Sequence, residues 1–143
     1  MELRWQFDQV DIDWNELSGL YRIAPLGDKL PDDLQVAFSN SRFKCFLYHD
    51  DVLVGAGRAL ADGRDCSYLC DIAVHPAYQG RGLGQAIVQE LLRRSQGHKK
   101  IILYTSPGKE PFYARLGFKR LNTAMAIFQN AGEMMANGTI SEL

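Results

Sequence analysis

The stretch from Leu69 to Ser95 constrains this chain more than any other part of it. Mostly apolar residues run into Pro76, a loop with three glycines follows, and apolar residues then recur at three- and four-residue spacing. This order predicts a buried strand, a glycine loop and an amphipathic helix. The residues that define the loop and the helix are Gly80, Gly82, Gly84, Leu83, Ala86, Ile87 and Leu91. Glycine lets backbone N–H groups approach a ligand, and a first helical turn offers donors at the positive end of the dipole, so the junction suits a diphosphate.

Two familiar nucleotide loops do not fit this stretch. A P-loop needs Gly-x-x-x-x-Gly-Lys followed by Ser or Thr, and the chain has no such lysine or hydroxyl. A dinucleotide-binding fold needs Gly-x-Gly-x-x-Gly and an acidic residue about 20 positions further on, whereas the glycines here alternate and no such acid follows. If this junction binds a diphosphate, it does so in a protein of another class than these two.

The stretch resembles the signature of the Gcn5-related N-acetyltransferase superfamily. That signature is Gln or Arg, two residues, Gly, one residue, and Gly or Ala, and it is matched by Gln79, Gly82 and Gly84. The preceding residues 71–76 resemble the fourth strand of the family, and residues 111–118 resemble its Phe-Tyr-x-x-x-Gly-Phe element. The resemblance is close over residues 65–120 and looser elsewhere.

This resemblance implies one α/β domain over residues 1–143, with residues 65–120 as its motif-bearing core and 130–143 as a loosely attached tail. It implies a mostly antiparallel sheet of six to seven strands, splayed between strands 4 and 5, with about four helices. It also implies an acyltransferase that moves acetyl from acetyl-CoA, without a metal, directly to a primary amine of a small molecule. The acceptor would be an arylalkylamine, an amino sugar or a polyamine-like compound.

Two other functions stay open. The acceptor could be a lysine or N-terminus of a protein or peptide, or the domain could be a non-catalytic sensor that binds acyl-CoA. The sensor is disfavoured because the chain keeps Tyr113, the residue that corresponds to the general acid of the family. Dimerisation is common among the relatives but is not visible in the sequence, so a homodimer is neither indicated nor opposed.

Composition excludes several other classes. A net charge of −1 without long runs of like charge gives no pull toward nucleic acid or a membrane surface. An odd count of cysteines, Cys45, Cys66 and Cys70, indicates neither a disulfide framework nor a zinc site, and fits reduced thiols. No apolar run approaches the length of a membrane span and no signal peptide is apparent, so a cytoplasmic location is expected.

The remaining elements follow from local signals. Strands are predicted at 3–7, 43–48, 52–60, 67–74, 101–105, 118–120 and 124–128, and helices after Asp11 or Asp13, from Pro31, and over 110–116. Gly117 is predicted to close the last helix in a left-handed conformation. The loop 24–30 is the expected wall of an acceptor pocket.

The resemblance assigns the cofactor site. The pyrophosphate would be held by backbone N–H groups of the loop and first helical turn, those of Gly80, Arg81, Gly82, Leu83, Gly84 and Gln85. The side chain of Arg81 would add positive charge. The main chain of Ile72, Ala73 and Val74 would bind the pantetheine arm and the oxyanion. Gln79 would contact the cofactor or bond its own backbone. Ser106 stands where many relatives have an asparagine and could take over a bond to the pantetheine.

The resemblance makes Tyr113 the general acid for the leaving thiolate, since a phenol with a pKa near about 10 is protonated at neutral pH. The alternative is a tyrosine packed on the core beside Phe112. Asp71, a carboxylate among mostly apolar neighbours with no obvious partner, is the candidate base; a structural role is the alternative, and water would then take the proton. An acetylated Cys70 is the rival mechanism, but nothing local in the sequence lowers its pKa.

Relatives that acetylate arylalkylamines carry histidines where this chain has Tyr68 and Cys70, so their proton relay does not transfer directly. His49 and His75 lack a helpful carboxylate in the sequence and are expected to be turn or surface residues. The side chains expected around a cationic or aromatic acceptor are Asp28, Asp32, Asp33, Asp71, Tyr21, Phe46 and Tyr68.

Overall fold

The computed structural model describes residues 2–143, in two compact units, Met1–Leu103 and Tyr104–Leu143. The first unit holds a five-stranded sheet in the order β1-β2-β3-β4-β5. Its strands are β1 (Arg4–Gln6), β2 (Phe43–His49), β3 (Val52–Ala61), β4 (Cys66–Val74) and β5 (Lys100–Ile102). The first four are antiparallel to their neighbours, and β5 pairs with β4 in parallel. The predicted mixed α/β class is confirmed, with a mainly antiparallel sheet.

One face of the sheet is covered by the first two helices, α1 (Trp14–Ile23) and α2 (Pro31–Ser39). Of the two aspartates predicted to cap α1, Asp11 and Asp13, it is Asp13 whose carboxylate accepts from the N–H groups of Asn15 (3.0 Å) and Glu16 (3.2 Å). Pro31 begins α2 and two aspartates occupy its first turn. The apolar side chains packed between these helices and the sheet are fully or nearly buried, among them Leu17, Tyr21, Leu34, Phe38, Phe46 and Ala73.

The other face of the sheet is covered by α3 (Leu83–Arg94). Two glycines of β3 let this helix lie close, since a Cβ on Gly55 or on Gly57 would come within 2.9 Å of the Ile87 side chain. Ile87, Val88 and Leu91 are fully buried in this interface. The predicted loop-to-helix transition is confirmed, but Gly84, which was expected in the loop, lies in the first turn of α3.

The second unit carries two short helices, α4 (Glu110–Ala114) and α5 (Ala131–Ala136). Gly117 has φ +100° directly after α4, which confirms its predicted conformation. Helix α5 was not predicted: the Gly138 N–H donates to the Met135 carbonyl and the Thr139 N–H to that of Met134, a C-terminal cap that holds six residues with little apolar periodicity.

The predicted strand count was too high. The segments 118–120 and 124–128 form no strand among the described residues, and β5 ends at Ile102, so the sheet has five strands where six to seven were expected. Apolar alternation indicated the two closing strands, but a strand exists only where a neighbour satisfies its backbone groups. Residues 2–143 contain five α-helices, where about four were expected.

None of the helices within residues 2–143 is both long and apolar enough to cross a bilayer.

Candidate active site

Strand β4 contains a bulge at Asp71. Ala56 of β3 faces Ala73 of β4, but Arg58 faces Cys70, so β4 carries one additional residue between these pairs. Asp71 accommodates it with φ +56°, in the left-handed region. Its carbonyl turns toward α1, where it accepts a hydrogen bond from the Tyr21 hydroxyl (2.6 Å). The bulge therefore re-aims the backbone just before residues 72–74, the expected pantetheine track.

The edge of β4 that faces β5 is paired over only three residues, Cys66, Ser67 and Tyr68. Beyond Tyr68 the strand runs six residues further, to Val74, without a partner from β5. Those backbone groups of this stretch that do not bond to β3 have no partner on β5. An extended ligand with amide groups could add to this edge as a further strand would, which is the arrangement expected from a sheet split between strands 4 and 5.

The glycine loop follows a 3₁₀ turn at Pro76–Tyr78. Gly80 and Gly82 both have φ +79°, and Gly82 is the N-cap of α3. Nothing lies within 4 Å of a Cβ built on either glycine, so backbone conformation rather than crowding requires them. The first helical hydrogen bond runs from the Ala86 N–H to the Gly82 carbonyl (3.0 Å), so the N–H groups of residues 83–85 have no acceptor within the helix. Donors of this kind, at the positive end of a helix dipole, favour the binding of an anion.

The side chain of Gln79 ties the loop to the end of β4 by a hydrogen bond. Its side-chain amide donates to the carbonyl of Val74 at the end of β4 (3.1 Å), which is the local backbone bond considered from the sequence. This bond fixes where the loop leaves the strand.

A series of side-chain contacts links the loop to the end of β2. The Arg81 guanidinium lies 5.3 Å from the centre of the Tyr78 ring, and the Tyr78 hydroxyl is 2.7 Å from Nδ1 of His49. Nε2 of His49 lies 3.5 Å from the carboxylate of Asp50. The expectation that His49 lacks a carboxylate was therefore wrong, because the hairpin turn brings its neighbour's side chain back onto the ring. His75 accepts from the Ala77 N–H (3.1 Å) and so has the expected turn role.

Asp71 has charged partners that the sequence did not reveal. Its carboxylate lies 2.8 Å from Nε of Arg58 and 3.4 Å from Nζ of Lys29, and its side chain is only 17% exposed. The expectation of a carboxylate without a partner was wrong. Arg58 sits almost opposite Asp71 on β3, so the register of two antiparallel strands was the signal that could have found it.

Cys70 is a poor nucleophile. Burial raises the pKa of its thiol to about 11, with Arg58 and Lys29 lowering it less and Asp71 opposing them. Cations are thus present, contrary to the sequence expectation, but they do not overcome the loss of hydration. Thiolate is the reactive form, so the thiol is inert near neutral pH.

Tyr113 and Ser106 belong to the second unit. Tyr113, on α4, has edge-to-face contacts with the rings of Phe112 (4.9 Å) and Phe118 (5.9 Å). Burial raises the pKa of its phenol, and a hydrogen bond with Thr105 lowers it by less. The tyrosine is therefore both packed among aromatic rings and protonated at neutral pH. Ser106 is exposed, and its carbonyl accepts from the Lys109 N–H (3.1 Å).

Among the residues described here, no group of three or more His, Cys, Asp or Glu side chains is placed to hold a metal ion.

Comparisons with known proteins identify the family. The family model of the Acetyltransferase (GNAT) family matches residues 9–118. The chain therefore belongs to the GNAT family of acyltransferases, whose members use acetyl-CoA.

Individual relatives cover the chain to different extents. A glucosamine 6-phosphate N-acetyltransferase of Trypanosoma brucei brucei is 42% identical over 59 residues, which are 40% of this chain and 40% of that protein. An uncharacterized N-acetyltransferase of Prochlorococcus marinus, described as ycf52-like, is 32% identical over 119 residues, 78% of this chain and 66% of the relative. This chain thus spans less than half of the first relative's length.

Solved structures share the fold. A probable acetyltransferase of meticillin-resistant Staphylococcus aureus superposes with a TM-score of 0.80 at 21% identity, covering 89% of this chain and 98% of the other.

Proposed function

We propose that this protein transfers an acetyl group from acetyl-CoA directly to the primary amine of a small molecule. The observation that carries the proposal is the β4–loop–α3 junction, in which a bulged strand edge leads into glycines of positive φ and a helix start with open donors. The loop would bind the pyrophosphate and the edge of β4 would bind the pantetheine arm.

The reaction has three requirements, which different groups of the chain meet. The amine nitrogen attacks the thioester carbonyl carbon, the carbon–sulfur bond breaks, and the amide keeps the acetyl group. We assign the oxyanion and the pantetheine to main-chain groups of residues 72–74. The proton that the amine loses goes to Asp71 or to water, and the departing thiolate takes a proton from Tyr113. The protonated state of Tyr113 supports its part.

Direct transfer is favoured over a covalent intermediate because the buried thiol of Cys70 stays protonated, with a pKa of about 11. The sensor alternative has no support from the chain's chemistry, since the proposed acid is present and protonated. A protein lysine or N-terminus as acceptor is the second candidate, but no surface in the described residues specifically favours it.

The proposal is tested by substitutions that change the backbone conformation of the loop. Gly82→Val is expected to abolish measurable acetyl-CoA binding in titration calorimetry, because a β-branched residue resists φ +79° and tilts the donors at the start of α3. Gly82→Asn is the matched control, since asparagine tolerates the left-handed region and should keep most of the affinity.

Circular dichroism and the unfolding midpoint establish that both variants fold. Undiminished binding by a folded Gly82→Val protein would refute the assignment of this loop to the cofactor.

A further inference from the structure

Three charged side chains meet on the face of the sheet that α1 and α2 cover. Asp71 lies between Arg58 of β3 and Lys29 of the loop that joins α1 to α2. All three are largely withdrawn from water, with exposed side-chain fractions of 17% for Asp71, 16% for Arg58 and 30% for Lys29. The cluster adjoins residues 72–74, where the acetyl group would lie, so it is placed to meet the acceptor.

The charges in this cluster do not cancel. Two cations face one carboxylate, and the other titratable groups beside them are neutral: burial raises the pKa of the Tyr21 phenol well above its usual value and that of the Cys70 thiol to about 11. Asp28, expected from the sequence to attract a cationic acceptor, is exposed and pairs with Arg22 (3.1 Å). Asp32 and Asp33 lie in the first turn of α2, where the positive end of the helix dipole compensates their charge. The acceptor side of β4 is therefore positive rather than acidic.

We propose that the acceptor carries an anionic group in addition to its amine, and that Lys29 binds this anion. The inference rests on the proposed transfer to an amine and names the class of amine. An acceptor with both an ammonium and an anion can replace the ion pair between Lys29 and Asp71 without changing the net charge. Its anion binds the ammonium of Lys29, and its own ammonium binds the carboxylate of Asp71. A simple amine would leave a half-buried lysine without a partner, and a polyamine would add to the positive charge.

Lys29, rather than Arg58, is the partner of Asp71 whose ion pair the acceptor would replace. Arg58 is fixed by a 2.8 Å bond to Asp71 and a second bond from its Nη1 to the Ser41 hydroxyl (3.2 Å), and it stands in the middle of a strand. The ammonium of Lys29 is 3.4 Å from Asp71 and lies over the Tyr21 ring at 5.7 Å from its centre. Its backbone is held separately, because the Ser18 hydroxyl donates to the Lys29 carbonyl (2.6 Å). The side chain can therefore turn to a ligand while the loop stays in place.

Three small primary amines of similar size test the class of acceptor: ethanolamine, phosphoethanolamine and β-alanine. Release of CoA thiol from acetyl-CoA gives kcat/KM for each. We expect phosphoethanolamine to exceed ethanolamine at least tenfold, and the β-alanine arm tells whether a carboxylate serves as well as a phosphate. Equal rates for ethanolamine and both anionic amines would overturn the inference.

Lys29 is tested with a neutral and a charged replacement. Lys29→Met should remove the preference for phosphoethanolamine over ethanolamine and raise KM for the former at least tenfold, with KM for acetyl-CoA unchanged. Lys29→Arg keeps the charge and should keep most of the preference. A preference that survives Lys29→Met in full would exclude Lys29 as the anion's partner.

Failure of this inference can be separated from failure of the proposed function. Binding of phosphoethanolamine is measured by calorimetry without acetyl-CoA, in the wild type and in Lys29→Met. Transfer to ethanolamine without a preference for the anionic amines would keep the enzyme and refute the anionic acceptor. Absence of transfer to any amine, with phosphate-dependent binding lost in Lys29→Met, would refute the reaction and keep the anion site.

Discussion

At the scale of single residues, burial strengthens the hold of two neutral groups on their protons. It raises the pKa of Tyr113 above the ordinary value of 10.0 and the pKa of Cys70 from 9.0 to about 11. The consequences are opposite, because a phenol that keeps its proton is a competent acid, whereas a thiol that keeps its proton is a poor nucleophile. One physical effect thus favours direct transfer over an acetylated cysteine.

Tyr113→Phe is expected to lower kcat at least tenfold with little change in KM for acetyl-CoA, because the ring still packs against Phe112 and Phe118 but no longer donates a proton. The acid form exists below the pKa, and that pKa is raised, so the wild type should lose activity through this group only above pH 10. Steady-state kinetics measure both effects. Unchanged turnover in Tyr113→Phe would rule out the acid role.

At the scale of elements, the sequence predicted features that have local causes. The cap of α1, the proline at the start of α2 and the left-handed glycine after α4 each act within a few residues, so they can be recognised in a sequence. Features that depend on pairing were missed or misjudged. The bulge at Asp71 and its ion pair with Arg58 depend on the register between β3 and β4, which no local pattern encodes.

The cofactor loop shows the same division. Its glycines and the start of α3 were evident, but the support of Arg81 by Tyr78 and His49 was not, because His49 lies in a hairpin almost thirty residues earlier in the chain. A turn in which Asp50 and Asp51 both have positive φ brings this hairpin end back to the loop. The site could be located from the sequence, but the residues that orient it could not.

Tyr78→Phe is expected to weaken acetyl-CoA binding about fivefold and leave kcat at saturation unchanged. The substitution removes only the hydroxyl bonded to His49, and such a bond contributes on the order of 1 kcal/mol. Tyr48→Phe is the matched control, since an arginine, Arg4, also lies over that ring (4.3 Å). Calorimetry with acetyl-CoA and steady-state kinetics report the two quantities. A Tyr78→Phe protein with wild-type affinity would show that the bond to His49 does not orient Arg81.

The turn between β3 and β4 should make stability depend on acid. The Asp62 carboxylate accepts from the N–H groups of Arg64 (2.8 Å) and Asp65 (2.7 Å), and these bonds lower its pKa from 3.8 to about 2. The unfolded chain binds this proton first, so the stabilisation is complete above about pH 4 and is lost as the pH falls toward 2.

Asp62→Asn should therefore unfold at a lower urea concentration than the wild type at pH 6, and the difference should shrink by pH 3. Asp51→Asn, the same substitution in another exposed turn, provides the control and should show little change with pH. A gap between wild type and Asp62→Asn that is constant from pH 6 to pH 3 would contradict the role of the charge.

At the scale of the whole molecule, burial is unevenly divided between the two units. Among residues 2–143, the fully buried side chains all belong to the first unit, on β2, β3, β4, the helices that cover them and Ser95 after α3. Every side chain from Tyr104 to Leu143 keeps part of its surface exposed. Local opening is governed by how much packed structure must be disrupted. The proposed acid, Tyr113, thus stands on the less stable unit, while the cofactor loop begins at the end of a core strand.

Native-state hydrogen exchange should reveal this division. We expect the slowest amides in β2, β3, the paired part of β4 and the buried turns of α3, and faster exchange throughout residues 104–143, because few of those amides lie beneath packed side chains. Adding acetyl-CoA should slow exchange at residues 80–86, since a bound pyrophosphate would occupy the donors at the start of α3. Mass spectrometry of peptic fragments measures both effects. Protection of residues 104–143 equal to that of β3, or no slowing at the loop with cofactor present, would show that stability and cofactor binding are distributed differently.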